Sequence, residues 1–150
     1  MANNNEDNKD FDIMAKTLIW DALSGLKYSY APYSNFKVSA ALLTTSGKVY
    51  TGCNIENAAF SPGMCAERVA FAKAISSGEK GFEAIAIVGG MKGRGTQMVF
   101  PCGVCRQVME EFCEPENFKI ITATSAEKYD VYSLDELLPY GFGPHTLSGK

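Results

Sequence analysis

Three cysteines and one glutamate have the types and the spacing that a catalytic metal site requires. Cys102 and Cys105 form a Cys-x-x-Cys pair, and Cys65 begins a Cys-Ala-Glu-Arg segment in which Glu67 is the acidic residue. By itself, a Cys-x-x-Cys pair is compatible with half of a structural zinc site or with a redox-active dithiol. A third thiolate from Cys65 completes a set of three protein ligands, which leaves tetrahedral zinc one position for water. Since Glu67 can reach that water without binding the metal, the pattern favours hydrolytic zinc chemistry.

Both groups of cysteines are expected at the N-termini of helices. Cys65 follows Pro62-Gly63, and Cys102 follows Pro101. The unpaired N–H groups and the positive end of the helix dipole stabilise thiolates at such positions. Residues i and i+2 do not share a helix face, so Cys65 and Glu67 meet at one metal only if Cys65 lies at or before the first turn.

Arg68 is the residue expected to moderate the charge of this centre. Three thiolates and one Zn²⁺ carry a net negative charge, which opposes the ionisation of a bound water. Arg68 follows Cys65 by three residues and shares its helix face, so it is expected to donate hydrogen bonds to the sulfurs. The alternative interpretation is a solvated arginine on the helix surface.

The hydrophobic pattern predicts a scaffold that alternates helices and strands. Apolar residues recur at helical spacing after Asp10, which is expected to cap the first helix. Alternation from Phe36 to Leu42 predicts a strand, followed by a turn at Ser46-Gly47 and a returning strand over 48–53. The pattern then predicts helices over 65–76, from 101 onward and over 133–138, a strand over 119–124, and a strand over 84–88 that ends at Gly89-Gly90. This order implies a layered α/β sheet with a hairpin at its start.

Length, charge and cysteine usage limit the class of protein. The 150 residues suit one catalytic domain, 10–150, and the Asn-rich residues 1–9 are expected to form a mobile tail. A net charge of −3 without clustered Lys or Arg argues against nucleic acid as a partner. No signal-like or membrane-spanning stretch is present, so no membrane partner is expected. An odd number of cysteines, five, is typical of a reducing compartment, and the chain is predicted to be cytoplasmic.

The motifs together resemble one enzyme family, the small homotetrameric zinc-dependent cytidine deaminases. The resemblance runs from Tyr28 to Pro144 and includes the Asn-x-Glu element at 54–56 and the all-cysteine form of the metal site. The segments that carry it are 32–36, 52–59, 65–68, 101–107 and 137–144. It implies a three-layer α/β/α fold with a mixed sheet of about five strands.

The resemblance also implies the reaction. It predicts hydrolysis of cytidine and 2′-deoxycytidine to uridine and 2′-deoxyuridine plus ammonia, a step of pyrimidine salvage. One Zn²⁺ per subunit would be held by Cys65, Cys102 and Cys105, and zinc hydroxide would attack C4 of the base. Glu67 would be the proton shuttle, taking the proton of the water, delivering it to N3 and helping ammonia to leave.

Four further residues are assigned to the substrate by the resemblance. Asn54 and Glu56, at i and i+2 of a strand end, project the same way and would hold the ribose, because an amide and a carboxylate together suit a hydroxyl. Phe36 would pack on the pyrimidine ring, and the backbone of Ala66 would lie beside the base carbonyl.

Two aromatic residues are expected to act across subunit boundaries. Phe60 and Phe142 match aromatic positions that members of the family contribute to a neighbouring subunit. Many relatives carry Tyr at the position of Phe60, so a polar contact there is not expected, whereas stacking is. These two assignments depend on a homotetramer.

Three alternatives remain open on the sequence. One is a deaminase of another aminopyrimidine nucleoside such as blasticidin S. A second is a thiol oxidoreductase using Cys102 and Cys105, which would leave the Cys-Ala-Glu segment without a role. A third is a zinc-stabilised binding module, which would need a fourth ligand from Cys53, Cys113 or His145.

Overall fold

The fold is one mixed sheet enclosed between helices. The structure, a computed structural model, describes residues 4–92 and 94–148. Its helices are α1 Asn4–Gly25, α2 Ala66–Ser76, α3 Gly103–Phe112, α4 Leu134–Leu137 and α5 Pro144–Ser148, and a 3₁₀ turn spans Leu26–Tyr28. Its strands are β1 Phe36–Thr44, β2 Val49–Cys53, β3 Phe82–Met91, β4 Lys119–Ser125 and β5 Lys128–Ser133. None of the helices in these described ranges is long and apolar enough to cross a membrane.

The sheet has five strands in the order β2-β1-β3-β4-β5. β1 pairs antiparallel with both β2 and β3, β3 pairs parallel with β4, and β4 pairs antiparallel with β5. Helix α3 makes the crossover between the parallel strands β3 and β4. The predicted mixed sheet of about five strands, with a hairpin at its start, is therefore confirmed.

Alternating residues of the central strands divide the core into two layers. Ala41, Ala86 and Ile121 face α1, whereas Leu42 and Ile87 on the adjacent positions face α2 and α3. Successive side chains of a strand point to opposite faces, so strands buried on both sides are apolar throughout. This arrangement confirms the predicted three-layer α/β/α architecture.

Contact between β2 and α2 sets the position of the helix that begins at the Cys-Ala-Glu-Arg segment. A Cβ atom added to Gly52 would lie 2.4 Å from the carbonyl oxygen of Ala66 and 2.5 Å from the backbone nitrogen of Ala70. Only glycine lets the backbone of α2 approach the strand this closely. The first turn of α2 is therefore held against the sheet.

One helix boundary differs from the prediction, and two elements were not predicted. Helix α1 begins at Asn4 rather than after Asp10, so residues 4–9 of the predicted tail lie in the helix, and residues 1–3 fall outside the described residues. Strand β5 was not predicted, because it lies at a sheet edge, none of its residues is buried, and it lacks an apolar run. Helix α5 was also not predicted.

The prediction that β3 ends at Gly89-Gly90 is wrong. Both glycines lie inside the strand. Gly89 pairs with Val38 and Gly90 with Lys37, so the strand continues to Met91. A Cβ on Gly90 would lie 2.1 Å from the carbonyl oxygen of Gly95, which crosses over the strand. Here glycine permits a close backbone approach rather than a turn.

Candidate active site

Two of the three cysteines occupy the N-cap positions of neighbouring helices. Cys65 precedes α2 with extended backbone angles, φ −74° and ψ 154°, and Cys102 precedes α3 with φ −67° and ψ 166°. The prediction that both groups lie at helix N-termini is confirmed. Because Cys65 lies before the first turn, it escapes the restriction that separates residues i and i+2 on a helix, and Glu67 is free to face the same centre.

The three thiols lie close enough to bind one metal ion. The Cys65 Sγ is 3.8 Å from the Cys102 Sγ, and the Cys102 Sγ is 3.5 Å from the Cys105 Sγ. All three sulfurs lie within 4.8 Å of one another. Sulfurs at Zn–S distances of about 2.3 Å in a tetrahedron are separated by about 3.8 Å, so the donor set fits zinc.

The group of possible metal ligands contains three residues of the described chain and no fourth. Within residues 4–92 and 94–148, no further Cys, His, Asp or Glu joins the group. Cys113 is buried in the core, the Cys53 thiol donates to the Tyr28 carbonyl, and His145 lies beside Glu110. A zinc-stabilised binding module requires a fourth ligand. Cys53, Cys113 and His145 do not supply it.

A partly buried arginine, Arg68, lies beside the thiols and offsets their negative charge. Hydrogen bonding from Cys105 lowers the pKa of Cys65 to about 5, and Cys102 and Arg68 contribute in the same direction. Arg68 donates from Nη2 to the Gly63 carbonyl at 3.0 Å. Its Nε atom is buried and has no hydrogen-bond partner among the described residues. An unpaired N–H of this kind beside the thiols supports the predicted role of Arg68 toward sulfur.

Glu67 is the buried carboxyl group of the site. It occupies the first turn of α2, and only 4% of its surface is exposed. Burial raises the pKa of Glu67 to about 7, and the neighbouring Cys65 charge acts in the same direction. A carboxyl group with this pKa both accepts and releases a proton near neutral pH.

These groups line a cavity of about 700 Å³. Cys65, Cys102 and Glu67 line it together with the predicted substrate residues Asn54, Glu56 and Ala66, and Phe60 lies at its edge with 98% of its surface exposed. Val38, Val99 and Phe100 add apolar surface that the sequence did not single out. A mostly apolar cleft with a few converging polar groups is the usual form of a small-molecule site.

Two of the predicted substrate residues do not line this cavity. Phe36 begins β1 and is half-buried, and the residue of that strand that lines the cavity is Val38, two positions further along. Phe142 is exposed and lies outside the cavity of its own chain.

The side chain of Asn54 has a fixed orientation. Its Oδ1 accepts from the Val38 backbone N–H at 2.9 Å and from the Ser29 hydroxyl, and its Nδ2 donates to the Phe36 carbonyl at 2.8 Å. Because backbone groups determine which end of the amide is which, one N–H of Nδ2 remains for a ligand.

The carboxylate of Glu56 is held in a similar way. Its Oε2 accepts from the backbone N–H groups of Tyr33 at 2.8 Å and Ser34 at 3.2 Å, and its Oε1 accepts from the Ser34 hydroxyl. The Ser34 hydrogen bond is the main cause that lowers the pKa of Glu56, so the group is ionised and only accepts. Ser34 lies in the 32–36 segment that carried the resemblance, but its contact with Glu56 was not foreseen, and Ser29 was missed entirely.

A three-thiol centre with a buried carboxyl group beside it is typical of zinc hydrolases, in which the metal keeps a position open to water. Residues 14–122 match the family model described as the cytidine and deoxycytidylate deaminase zinc-binding region, and the chain belongs to this family.

Individual relatives agree with this family. The chain is 42% identical to a cytidine deaminase of Sporosarcina psychrophila over 87% of this chain and 93% of that protein. It is also 42% identical to a cytidine deaminase of Halalkalibacterium halodurans, over 87% of this chain and 96% of the other. Its structure resembles the crystal structure of cytidine deaminase from Burkholderia pseudomallei, with a TM-score of 0.75 and 43% identity, over 84% and 97% of the two chains.

Proposed function

We propose that the protein catalyses hydrolytic deamination of cytidine and 2′-deoxycytidine to uridine and 2′-deoxyuridine with release of ammonia, a reaction of pyrimidine salvage. The observation that carries the proposal is the group of three thiols beside the buried carboxyl group of Glu67, with Cys65, Cys102 and Glu67 lining one cavity. Membership of the deaminase family and 42% identity with cytidine deaminases support it.

Cys65, Cys102 and Cys105 would hold one Zn²⁺ per subunit. When bound, the ion supplies Lewis acidity that makes a water molecule acidic near neutral pH. Arg68 would donate its unpaired Nε–H to a ligand sulfur and so reduce the negative charge of the three thiolates.

Glu67 would carry the protons. It accepts a proton from the attacking water, delivers it to N3 of the pyrimidine ring, and supports protonation of the departing amine. Its burial favours this role, since a carboxyl group with a pKa of about 7 holds and releases protons at neutral pH.

Asn54 and Glu56 would bind a ribose hydroxyl with a defined direction of hydrogen bonding, Asn54 donating to it and Glu56 accepting from it. Their remaining hydrogen-bonding capacity is one N–H of Asn54 Nδ2 and the free lone pairs of the Glu56 carboxylate. A hydroxyl satisfies both, because it accepts from the first and donates to the second. A phosphate ester at this position would meet the negative charge of Glu56, which favours a free nucleoside over a polynucleotide.

The base would lie between the metal centre and the apolar wall. Ala66 is the first residue of α2, and its backbone N–H is one of those without a partner inside the helix, so it can donate to the base carbonyl. Phe36 lies outside the cavity lining but on the same strand face as the cavity-lining Val38, so a pyrimidine ring that extended past Val38 would contact it.

The enzyme would act as a homotetramer. Phe60 is almost fully exposed at the edge of the cavity, and Phe142 is exposed outside it. Exposed aromatic rings of this kind are enriched where subunits meet. Phe60 and Phe142 would each contribute to the cavity of a neighbouring subunit.

The test is loss of the ultraviolet absorbance of cytidine on incubation with protein of known zinc content. We expect turnover of cytidine and 2′-deoxycytidine, and loss of activity after chelation with recovery on adding zinc. Blasticidin S is the comparison substrate, and Glu67→Gln is the control for contaminating deaminase. Zinc-loaded tetramer that turned over blasticidin S but neither nucleoside would assign the alternative substrate. Reversible disulfide formation between Cys102 and Cys105 with no stoichiometric zinc would instead indicate the oxidoreductase.

A further inference from the structure

Helix α3 contains a buried carboxyl group for which the proposed reaction has no use. Glu110 is only 3% exposed, although a carboxylate of this kind is normally found at the surface. Its Oε1 lies 3.6 Å from Nδ1 of His145, which is half-exposed in α5. By contrast, the side chain of Glu111, the next residue of the same helix, is exposed to solvent. Glu110 is therefore enclosed by the chain that follows α4.

Two glycines of that following chain pack directly on the Glu110 side chain. A Cβ atom on Gly141 would lie 2.8 Å from Cδ of Glu110, and one on Gly143 would lie 2.9 Å from its Cγ. Both distances are shorter than real Cβ contacts, so a larger residue at either glycine would require the Glu110 side chain to move. The contact therefore depends on the absence of a side chain at both glycines.

The two other polar residues of this helix face hold the same segment. Gln107 donates from Nε2 to the Phe142 carbonyl at 2.8 Å. Arg106 donates from Nη1 to the Leu137 carbonyl at 2.6 Å, and from Nε to the Pro101 carbonyl at 2.8 Å. Positions 106, 107 and 110 of α3 thus attach to residues 137–145 at successive points.

This attachment joins the segment to the metal centre. Helix α3 begins after Cys102 and contains Cys105, so residues 137–145 are fixed to the helix that positions two of the three thiols. Within the segment the aromatic rings of Tyr140 and Phe142 remain exposed, and Tyr140 adopts a positive φ of 59°. The backbone is anchored while the rings project away from their own chain.

We infer that Gln107 and Glu110 are positioning residues that dock residues 137–145 on α3 and thereby set where Phe142 projects into the cavity of a neighbouring subunit. The inference rests on the proposed function for the role of Phe142. Neither residue touches the substrate in this scheme. They act by limiting the positions that the segment adopts, so that nucleoside binding does not have to order it.

Hydrogen–deuterium exchange tests the docking without reference to activity. The variants are Gln107→Leu, which removes the hydrogen bond to Phe142, and Glu110→Ala, which removes the support beneath Gly141 and Gly143. In the zinc-loaded tetramer we expect amide exchange over 137–148 to accelerate about tenfold or more, with exchange in the sheet unchanged. The matched control is Glu111→Ala, which should exchange like the unmodified protein. Unchanged exchange over 137–148 in both variants would overturn the docking.

Kinetics test the positioning role. We expect each variant to raise the KM for cytidine by about tenfold with kcat within about twofold, as a lost hydrogen bond or packing contact implies. Phe142→Ala should have a similar effect, and the double variant Gln107→Leu/Phe142→Ala should be no worse than Phe142→Ala alone. Faster exchange with an unchanged KM, or strictly additive effects, would refute the positioning role. If the unmodified protein failed to deaminate cytidine, the proposed function would fall, while the exchange result would still decide the docking.

Discussion

The substitution Gly52→Ala tests how the sheet positions helix α2, which carries Glu67. The added Cβ would lie 2.4 Å from the Ala66 carbonyl oxygen, about 1 Å short of the 3.4 Å at which ordinary contact begins. It would also lie 2.5 Å from the backbone nitrogen of Ala70. Both atoms belong to the backbone of α2, so no side-chain rotation relieves the overlap. The helix must shift by about 1 Å, together with Cys65 and Glu67.

Three measurable quantities should change with that shift. Overpacking a well-packed contact costs about 1–3 kcal/mol, so the free energy of unfolding should fall by that amount. A displacement of about 1 Å at the reacting groups is able to lower kcat by about 10²-fold, because Glu67 and Cys65 would move relative to Cys102 and Cys105 on α3. The zinc content per subunit should fall, since the Cys65 sulfur has moved relative to the other two ligands.

The assay combines denaturant unfolding, zinc content and cytidine turnover for Gly52→Ala and one control. Gly103→Ala adds the same methyl group to a position where nothing lies within 4 Å of the new atom. It should be as stable as the parent or more stable by up to about 1 kcal/mol, because alanine favours the helix. Gly52→Ala with parental stability, zinc content and kcat would refute the view that this contact sets the site geometry.

Three further predictions concern the site itself. Glu67→Gln should retain stoichiometric zinc and a normal melting temperature but lose about 10²- to 10⁴-fold in kcat; substantial turnover by the zinc-loaded variant would remove Glu67 from the proton-transfer role. Cys102→Ala should lose stoichiometric zinc and cytidine turnover together, and a variant that kept tightly bound metal would show that the ligand set is wrong. Ser34→Ala should raise the KM for cytidine about tenfold with little change in kcat, because it removes the hydrogen bond that fixes Oε1 of Glu56 while the backbone N–H groups still hold Oε2. The rise should be much smaller for whichever of the 2′-, 3′- or 5′-deoxycytidines lacks the hydroxyl that Glu56 binds, and an equal rise for all three would contradict that contact.

Predictions from the sequence succeeded where the determining interactions are local. The positions of Cys65 and Cys102 at helix N-termini depend on the proline and glycine residues just before them, and both are N-caps. The apolar spacing of the central strands likewise predicted a sheet covered on both faces. Of the two edge strands, β2 was predicted and β5 was missed, because β5 has no buried residue and its pairing partner β4 supplies the order.

The amino-acid sequence by itself determined the chemistry of the site, because three thiols and one carboxyl group next to helix starts suit few functions besides zinc hydrolysis. Only the tertiary structure decided which hydrogen-bonding atoms of Asn54 and Glu56 remain free, since their partners Ser29 and Ser34 lie 25 and 22 residues away along the chain. It also decided that Gly90 belongs to a strand, because Gly90 pairs with Lys37 of β1. Spacing along a chain predicts helices, turns and caps that form among near neighbours. Contacts between distant segments depend on how the whole sheet and its helices pack, and local pattern does not carry that information.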